Sequence, residues 1–194
     1  MSGKPQFDEG AVIAAAVRVF WRHGYAAASI ADLAEATGLS RSSIYQRFGD
    51  KDGLFQEALQ AYSGRVLHRM NKVVADTARG RLEALLRDFL PDASKPRRPA
   101  GCLIARSCAE AVELSTAGQA AALAAVARQR DIVLRIIREG VKNGELRQDA
   151  DVDALAWHYL GALQAVLNLP SAGADRDALD RMIDVAMLAW AANE

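Results

Sequence analysis

The sequence predicts an all-α fold: a three-helix head over residues 1–50 and a larger helical body over residues 51–194. Three observations carry this. Apolar residues recur three and four apart along most of the chain, the period of one helix face. Alternating runs rich in Val, Ile and Thr and bounded by turn residues are absent, so no sheet is expected. The five prolines, Pro5, Pro91, Pro96, Pro99 and Pro170, fall where a helix would be broken. The chain has 194 residues, of which 51% are hydrophobic, enough apolar material for a sizeable core.

The first helix is expected from about Asp8 to His23. Asp8 is its N-cap, Ile13, Ala16, Val17 and Phe20 form its apolar stripe, and Gly24 ends it. Ser29 opens a short second helix. Asp32, three residues later, completes a variant of the capping box, and Ile30, Leu33 and Ala34 face inward. Thr37-Gly38-Leu39 reads as a tight turn whose glycine allows a left-handed backbone. Ser40 caps a third helix over Arg41 to Phe48, with Ile44 and Phe48 inward, and Gly49-Asp50 breaks it. A long fourth helix starts near Lys51 and keeps Leu54, Ala58, Tyr62, Val66 and Met70 in helical register.

The body continues with a helix over Ala78 to Leu90, a loop over Pro91 to Ala100 containing Pro96-Arg97-Arg98-Pro99, and a helix over Gly101 to Leu114. A long helix follows from near Gly118 to Lys142, ended by Asn143-Gly144. The last two, Asp151 to Leu169 and Arg176 to Ala192, bring the total to about nine. Their stripes, Leu155-Tyr159-Ala162-Val166 and Leu179-Ile183-Ala186-Trp190, step by four, three and four, a spacing suited to near-parallel helix packing.

Charge and composition narrow the function. Lys+Arg and Asp+Glu are 24 each, so the net charge is zero, which argues against binding by bulk charge. A local basic face remains compatible with it. Residues 1–9 lack a basic flank followed by an apolar run, and the longest apolar stretch, Ala120 to Ala127, is far too short to span a membrane. A cytoplasmic protein with no membrane partner is expected. Cys102 and Cys108, if on one helix, point about 120° apart, so two buried free thiols are expected rather than a disulfide. His23, His68 and His158 are too scattered to form one local metal site, and no catalytic motif of the H-E-x-x-H, G-x-S-x-G or C-x-x-C kind occurs. Neither enzyme activity, nor a metal, nor a cofactor is expected.

The informative stretch is Ser29 to Lys51. A short amphipathic helix, a turn with glycine and a second helix make a helix-turn-helix, whose second helix fits the DNA major groove. The outer face of that helix carries Ser40, Arg41, Ser42, Ser43, Tyr45, Gln46 and Arg47: hydroxyls, guanidinium groups, a phenol and an amide, all able to meet phosphates and base edges. No Asp or Glu lies between Ser40 and Gly49 to repel phosphate.

Residues Ile13 to Leu59 resemble the DNA-binding domain of the tetracycline-repressor (TetR) family of regulators. The resemblance rests on Ala16 with Phe20, Gly24-Tyr25, Ser29-Ile30 with Leu33-Ala34, Gly38-Leu39-Ser40, Ile44-Tyr45 with Phe48, and Lys51 with Leu54. It implies that Arg41, Ser42 and Gln46 reach bases, and that Ser29, Ser43, Tyr45 and Arg47 grip phosphates. Lys51 would meet a phosphate together with the N-terminus of the fourth helix. The chain departs from many members in having only Lys4 ahead of the first helix, so no minor-groove arm is expected.

More loosely, the resemblance implies a helical ligand-binding and dimerisation domain after the head. The partners it implies are a double-stranded DNA operator, a second copy of the chain and an unidentified small-molecule effector. The Leu155 and Leu179 stripes are the expected homodimer interface, namely Leu155, Tyr159, Ala162, Val166, Leu179, Ile183, Ala186 and Trp190; the alternative is that both stripes are buried within one chain. Tyr62, Met70, Phe89, Arg106, Cys108, Trp157 and His158 are the candidates to line an effector cavity. Arg106, among Leu103, Ile104 and Cys108, could meet an acidic ligand or reach out to solvent. Two further readings share the head: a regulator that senses oxidants through Cys102 or Cys108, and a DNA-bound architectural or recruitment protein with no effector.

Overall fold

The computed structural model describes residues 8–92, 94, 99 and 101–190. Among them the chain forms nine α-helices and no strand. These are α1 Glu9–Ala27, α2 Ile30–Thr37, α3 Arg41–Phe48, α4 Lys51–Lys72, α5 Ala78–Asp88, α6 Leu103–Ala109, α7 Thr116–Lys142, α8 Val152–Asn168 and α9 Arg176–Met187. Single 3₁₀ turns follow α6 (Ala111–Glu113) and α8 (Leu169–Ala172). No described helix is long and apolar enough to cross a membrane. Lys4, Pro5, Pro96, Arg97, Arg98, Ala100 and Ala192, which entered the sequence reading, lie outside the described residues.

Contacts divide the chain into two compact units. One comprises Met1–Arg65 with Leu103–Ala125; the other comprises Val66–Cys102 with Val126–Glu194. The first unit is built on locally specified helix ends. The Asp8 carboxylate accepts from Ala11 N at 3.2 Å and caps α1. Ser29 and Asp32 form the reciprocal capping box of α2: Ser29 Oγ accepts from Asp32 N at 3.1 Å, and Asp32 Oδ2 accepts from Ser29 N at 2.9 Å. Gly38 ends α2 in the left-handed region at φ 72°.

Some helix ends differ from the expectation: α6 stops at Ala109 rather than Leu114, α9 at Met187 rather than Ala192, and α1 departs most. Gly24 does not stop α1; it breaks it (φ 81°, ψ 178°), and helix resumes to Ala27. That backbone conformation is essentially restricted to glycine. Around the break lies an aromatic cluster. Phe55 meets Phe20 edge-on at 5.2 Å and Tyr25 at 5.0 Å, and Trp21 meets Tyr62 at 4.9 Å. Leu33, Ile44 and Leu54 are fully buried and Phe48 nearly so, which holds α2 and α3 by their inner faces.

In the second unit, α5, α8 and α9 pack against one another. The Glu145 carboxylate accepts from Ala78 N and Arg79 N, both at 2.9 Å, so a side chain from beyond α7 satisfies two free amides at the start of α5. Arg87 of α5 pairs with Glu83 at 2.9 Å, with Asp184 at 2.5 Å and with Asp180, tying α5 to α9. The Trp190 indole N–H donates to Glu145 O at 3.1 Å. Its ring lies over Gly140, where a Cβ would come within 2.5 Å of it, so glycine at that point of α7 makes the space.

This packing bears on the stripes expected at the dimer interface. Tyr159, Val166, Leu179, Ile183, Ala186 and Trp190 are buried within a single chain, and only Leu155 and Ala162 of the two stripes are half-exposed. The apolar area of the six buried side chains is already covered by intrachain contacts. The spacing identified buried faces correctly but could not say what buries them.

Candidate nucleic-acid interface

Helices α2 and α3 and their turn form the site. Ser40 caps α3, its Oγ accepting from Ser43 N at 3.0 Å while lying 2.8 Å from both Ser42 Oγ and Ser43 Oγ. The first turn of α3 therefore presents three hydroxyls beside amide groups at the positive end of a helix, a suitable place for a phosphate oxygen. Ile44 and Phe48 anchor the opposite face, so Arg41, Ser42, Tyr45, Gln46 and Arg47 all face solvent. Tyr45 is 50% exposed, presenting its ring and phenol hydroxyl on this face. Among the described residues, no hydrogen bond or ion pair engages the side chains of Arg41, Tyr45 or Gln46. Their donors and acceptors are available to a partner.

Arg47 and Lys51 differ. The Arg47 guanidinium pairs with Glu57 at 3.2 Å and with Glu9, and it lies 4.9 Å from the centre of the Phe48 ring. The hydrogen bond it donates to Glu9, with the charge of Glu57, pushes its pKa up from the usual arginine value. Lys51 donates to Tyr25 O at 3.0 Å and Ala28 O at 3.2 Å, and its ammonium sits 4.2 Å from the Tyr25 ring centre. Burial, helped by Asp52 and Asp50, pushes the Tyr25 phenol up from its ordinary value, so the ring under the ammonium stays neutral. Lys51 thus secures the segment before α2 and keeps one of its three donors. Ser29 is exposed, but its hydroxyl and amide serve the α2 cap.

The candidates for an effector cavity are divided between the two units. Tyr62, Arg106 and Cys108 belong to the first unit, and Met70, Phe89, Trp157 and His158 to the second. Tyr62, Met70 and Phe89 are buried, with the Arg69 guanidinium 4.2 Å from the Phe89 ring centre. Trp157 is 56% exposed under the Arg130 guanidinium, and the exposed His158 lies 3.2 Å from Ala186 O. Arg106 is exposed, and its guanidinium donates to Arg22 O, His23 O and Glu110. Neither cysteine is in a disulfide; Cys102 is buried and Cys108 half-buried.

Sequence reasoning missed two sets of residues. Glu110 accepts from Tyr25 N at 2.6 Å and Ala26 N at 3.3 Å; its only sequence signal is its position four residues after Arg106. Gln129 of α7 is fully buried with neither amide atom paired among the described residues. It sits in an otherwise ordinary polar stretch, Arg128 to Asp131, and nothing local marks it.

Comparison with known proteins agrees with this geometry. Residues 12–58 match the family described as bacterial regulatory proteins, tetR family. Residues 78–186, more than half of the chain, match the tetracyclin repressor-like C-terminal domain. The chain is similar to the HTH-type transcriptional repressor ComR of Escherichia coli, 33% identical over 111 residues, a match spanning 55% of this chain and 52% of ComR. It is 27% identical to the uncharacterized HTH-type transcriptional regulator YezE of Bacillus subtilis over 96% of this chain and 98% of that one. Among solved structures, a cysteine-substituted form of the TetR family regulator CifR, complexed with 26-base-pair operator DNA, superposes with a TM-score of 0.80 at 30% identity, covering 97% of this chain and 100% of CifR. This chain therefore belongs to the TetR family of bacterial transcriptional regulators, and α2 with α3 is its DNA-binding helix-turn-helix.

Proposed function

We propose that this protein is a cytoplasmic repressor that binds a palindromic operator as a homodimer and leaves it when a small molecule binds the body. The observation that carries the operator reading is the acid-free outer face of α3, where Arg41, Tyr45 and Gln46 stand exposed with no intrachain hydrogen bond beside the Ser40–Ser42–Ser43 hydroxyl cluster. Arg41 and Gln46 carry the forked donor and the amide that read guanine and adenine edges. Ser29, Ser42, Ser43, Tyr45, Arg47 and Lys51 are proposed to hold backbone phosphates or neighbouring base edges. Arg47 would exchange Glu9 and Glu57 for a phosphate. ComR, a repressor by description, and CifR, solved on its operator, support the direction of control and the kind of site.

The homodimer reading rests on side chains left uncovered in α8 and at the end of α9. Trp157 is 56% exposed, Val185 67% and Leu188 78%, which is a large apolar area for solvent to meet. These three replace the buried stripe residues as the proposed contact, with Leu155 and Ala162 at its edge. Two copies are needed because one head reads one half-site, and half-sites lie about 34–36 Å apart. The effector reading is supported by Gln129, since an amide buried with no partner is costly unless something supplies its hydrogen bonds.

Selection of bound fragments from genomic DNA tests the operator reading. The expected product is an inverted repeat with half-sites about one helical turn apart. Arg41→Ala should lower affinity for that repeat by about 10-fold or more and relax preference at one base position in each half. Recovery of fragments sharing no sequence would point to an architectural protein instead. A compound library screened by thermal shift then tests the effector reading: a true effector raises Tm and lowers operator affinity.

A further inference from the structure

We propose that Arg106 and Glu110 are positioning residues for DNA binding: together they clamp the break in α1 at Gly24 and so fix where α2, and with it α3, begins. The inference rests on the reading that α2 and α3 bind an operator.

In an unbroken helix, Ala26 N–H would point to Arg22 O and Ala27 N–H to His23 O. At the Gly24 break the α6 pair stands in for that ladder. Glu110 Oε2 takes the Tyr25 and Ala26 amides at 2.6 and 3.3 Å. Arg106 supplies new donors to the carbonyls, at 3.2 Å to Arg22 O and 2.9 Å to His23 O. The two side chains also bind each other, Arg106 Nε to Glu110 Oε1 at 3.0 Å, so each orients the other. The guanidinium fork suits this task because its donors lie in one plane and can meet two successive carbonyls and a carboxylate at once.

Space is fitted to the pair as well. A Cβ on Gly24 would lie 2.7 Å from Arg106 Nε and overlap the Glu110 carboxylate. Glycine is therefore required twice here, by the backbone angle and by the close approach of the clamp. On its other side the same segment is held by Lys51, which takes Tyr25 O and Ala28 O, and by the Tyr25 ring against Phe55. The next residue, Ser29, is the N-cap of α2. A shift of the clamped peptide therefore passes directly into the start of the helix-turn-helix. Neither Arg106 nor Glu110 belongs to the proposed DNA-contacting set.

The test uses the full-length protein, its upstream duplex and an unrelated duplex as probes, and amide hydrogen exchange. Arg106→Ala and Glu110→Ala should each weaken binding to the specific duplex by roughly 10-fold or more, within the range typical of coupled sites. Affinity for the unrelated duplex should change little. The double variant should lose no more than the worse single variant, because the two act as one unit. Exchange at Tyr25, Ala26 and along α2 should speed up. Glu110→Gln, which keeps the shape and one acceptor, should fall between wild type and Glu110→Ala, and it serves if the alanine variants do not fold. Unchanged specific binding in folded alanine variants overturns the proposal. So does full restoration by Arg106→Lys, which would assign the effect to charge alone. If wild type prefers no duplex, the operator reading fails separately. The exchange arm then decides: unchanged protection from Tyr25 through α2 in Arg106→Ala overturns the clamp, and faster exchange supports it.

Discussion

At the scale of single residues, two titrating groups make contrasting predictions. Burial pushes the Tyr159 phenol up to about 12, and its hydroxyl has no partner among the described residues. The unfolded phenol releases its proton near pH 10 while the folded one still holds it. Its contribution to stability is thus complete below about pH 10 and is lost as pH rises through the folded value. Tyr159→Phe should remove this alkaline loss. It should also leave stability at neutral pH unchanged or raise it by about 1 kcal/mol, because an unpaired buried hydroxyl is removed. Urea unfolding at pH 7 and pH 11 checks both. Asp32 behaves oppositely. The hydroxyl and amide of Ser29 hold its carboxyl below the usual aspartate range. The cap's contribution is present above the ordinary aspartate value of about 3.9 and is lost as pH falls through the lower folded value. Between about pH 5 and pH 3 the wild-type urea midpoint should therefore fall further than that of Asp32→Asn.

At the scale of elements, what the sequence disclosed and what it did not divide by range of interaction. Asp8, Ser29 with Asp32, and Ser40 cap their helices as expected, because each cap is decided within three or four residues. The end of α1 was not legible. Gly24 looks like a stop, yet helix resumes beyond it because Arg106 and Glu110, more than eighty residues away, supply the missing partners. Gly24→Ala tests the account of this break. The backbone region alone should cost roughly 1–3 kcal/mol, and overlap with Glu110 should add to it, which denaturant unfolding would show. The stripes of α8 and α9 illustrate the same limit. Their period marks a buried face in any packing, so Tyr159 and Trp190 were legible as buried but not as buried within one chain. The outer face of α3 was more transparent, since its polar, acid-free composition at an already capped helix needed no distant partner to interpret.

At the scale of the whole molecule, the proposed pairing of two chains rests on exposed apolar residues rather than on the regular stripes. Trp157→Glu combined with Leu188→Glu should convert a dimer to a monomer in sedimentation velocity, with little change in helical content, because both side chains are already solvent-facing within one chain. Retention of the dimer would move the interface elsewhere. A monomeric variant should also bind its operator far more weakly, since each head alone contacts one half-site.

The most direct test of sequence-specific operator binding is fluorescence anisotropy of the purified protein with its upstream intergenic duplex and with an unrelated duplex, across a salt series. The account predicts a loss of roughly 10³-fold or more in affinity between 50 and 200 mM salt for about six phosphate contacts. It also predicts a preference of at least about 10³-fold for the specific duplex. Absence of binding to that duplex and to every fragment of a genomic library, at low salt and without added small molecules, would contradict it.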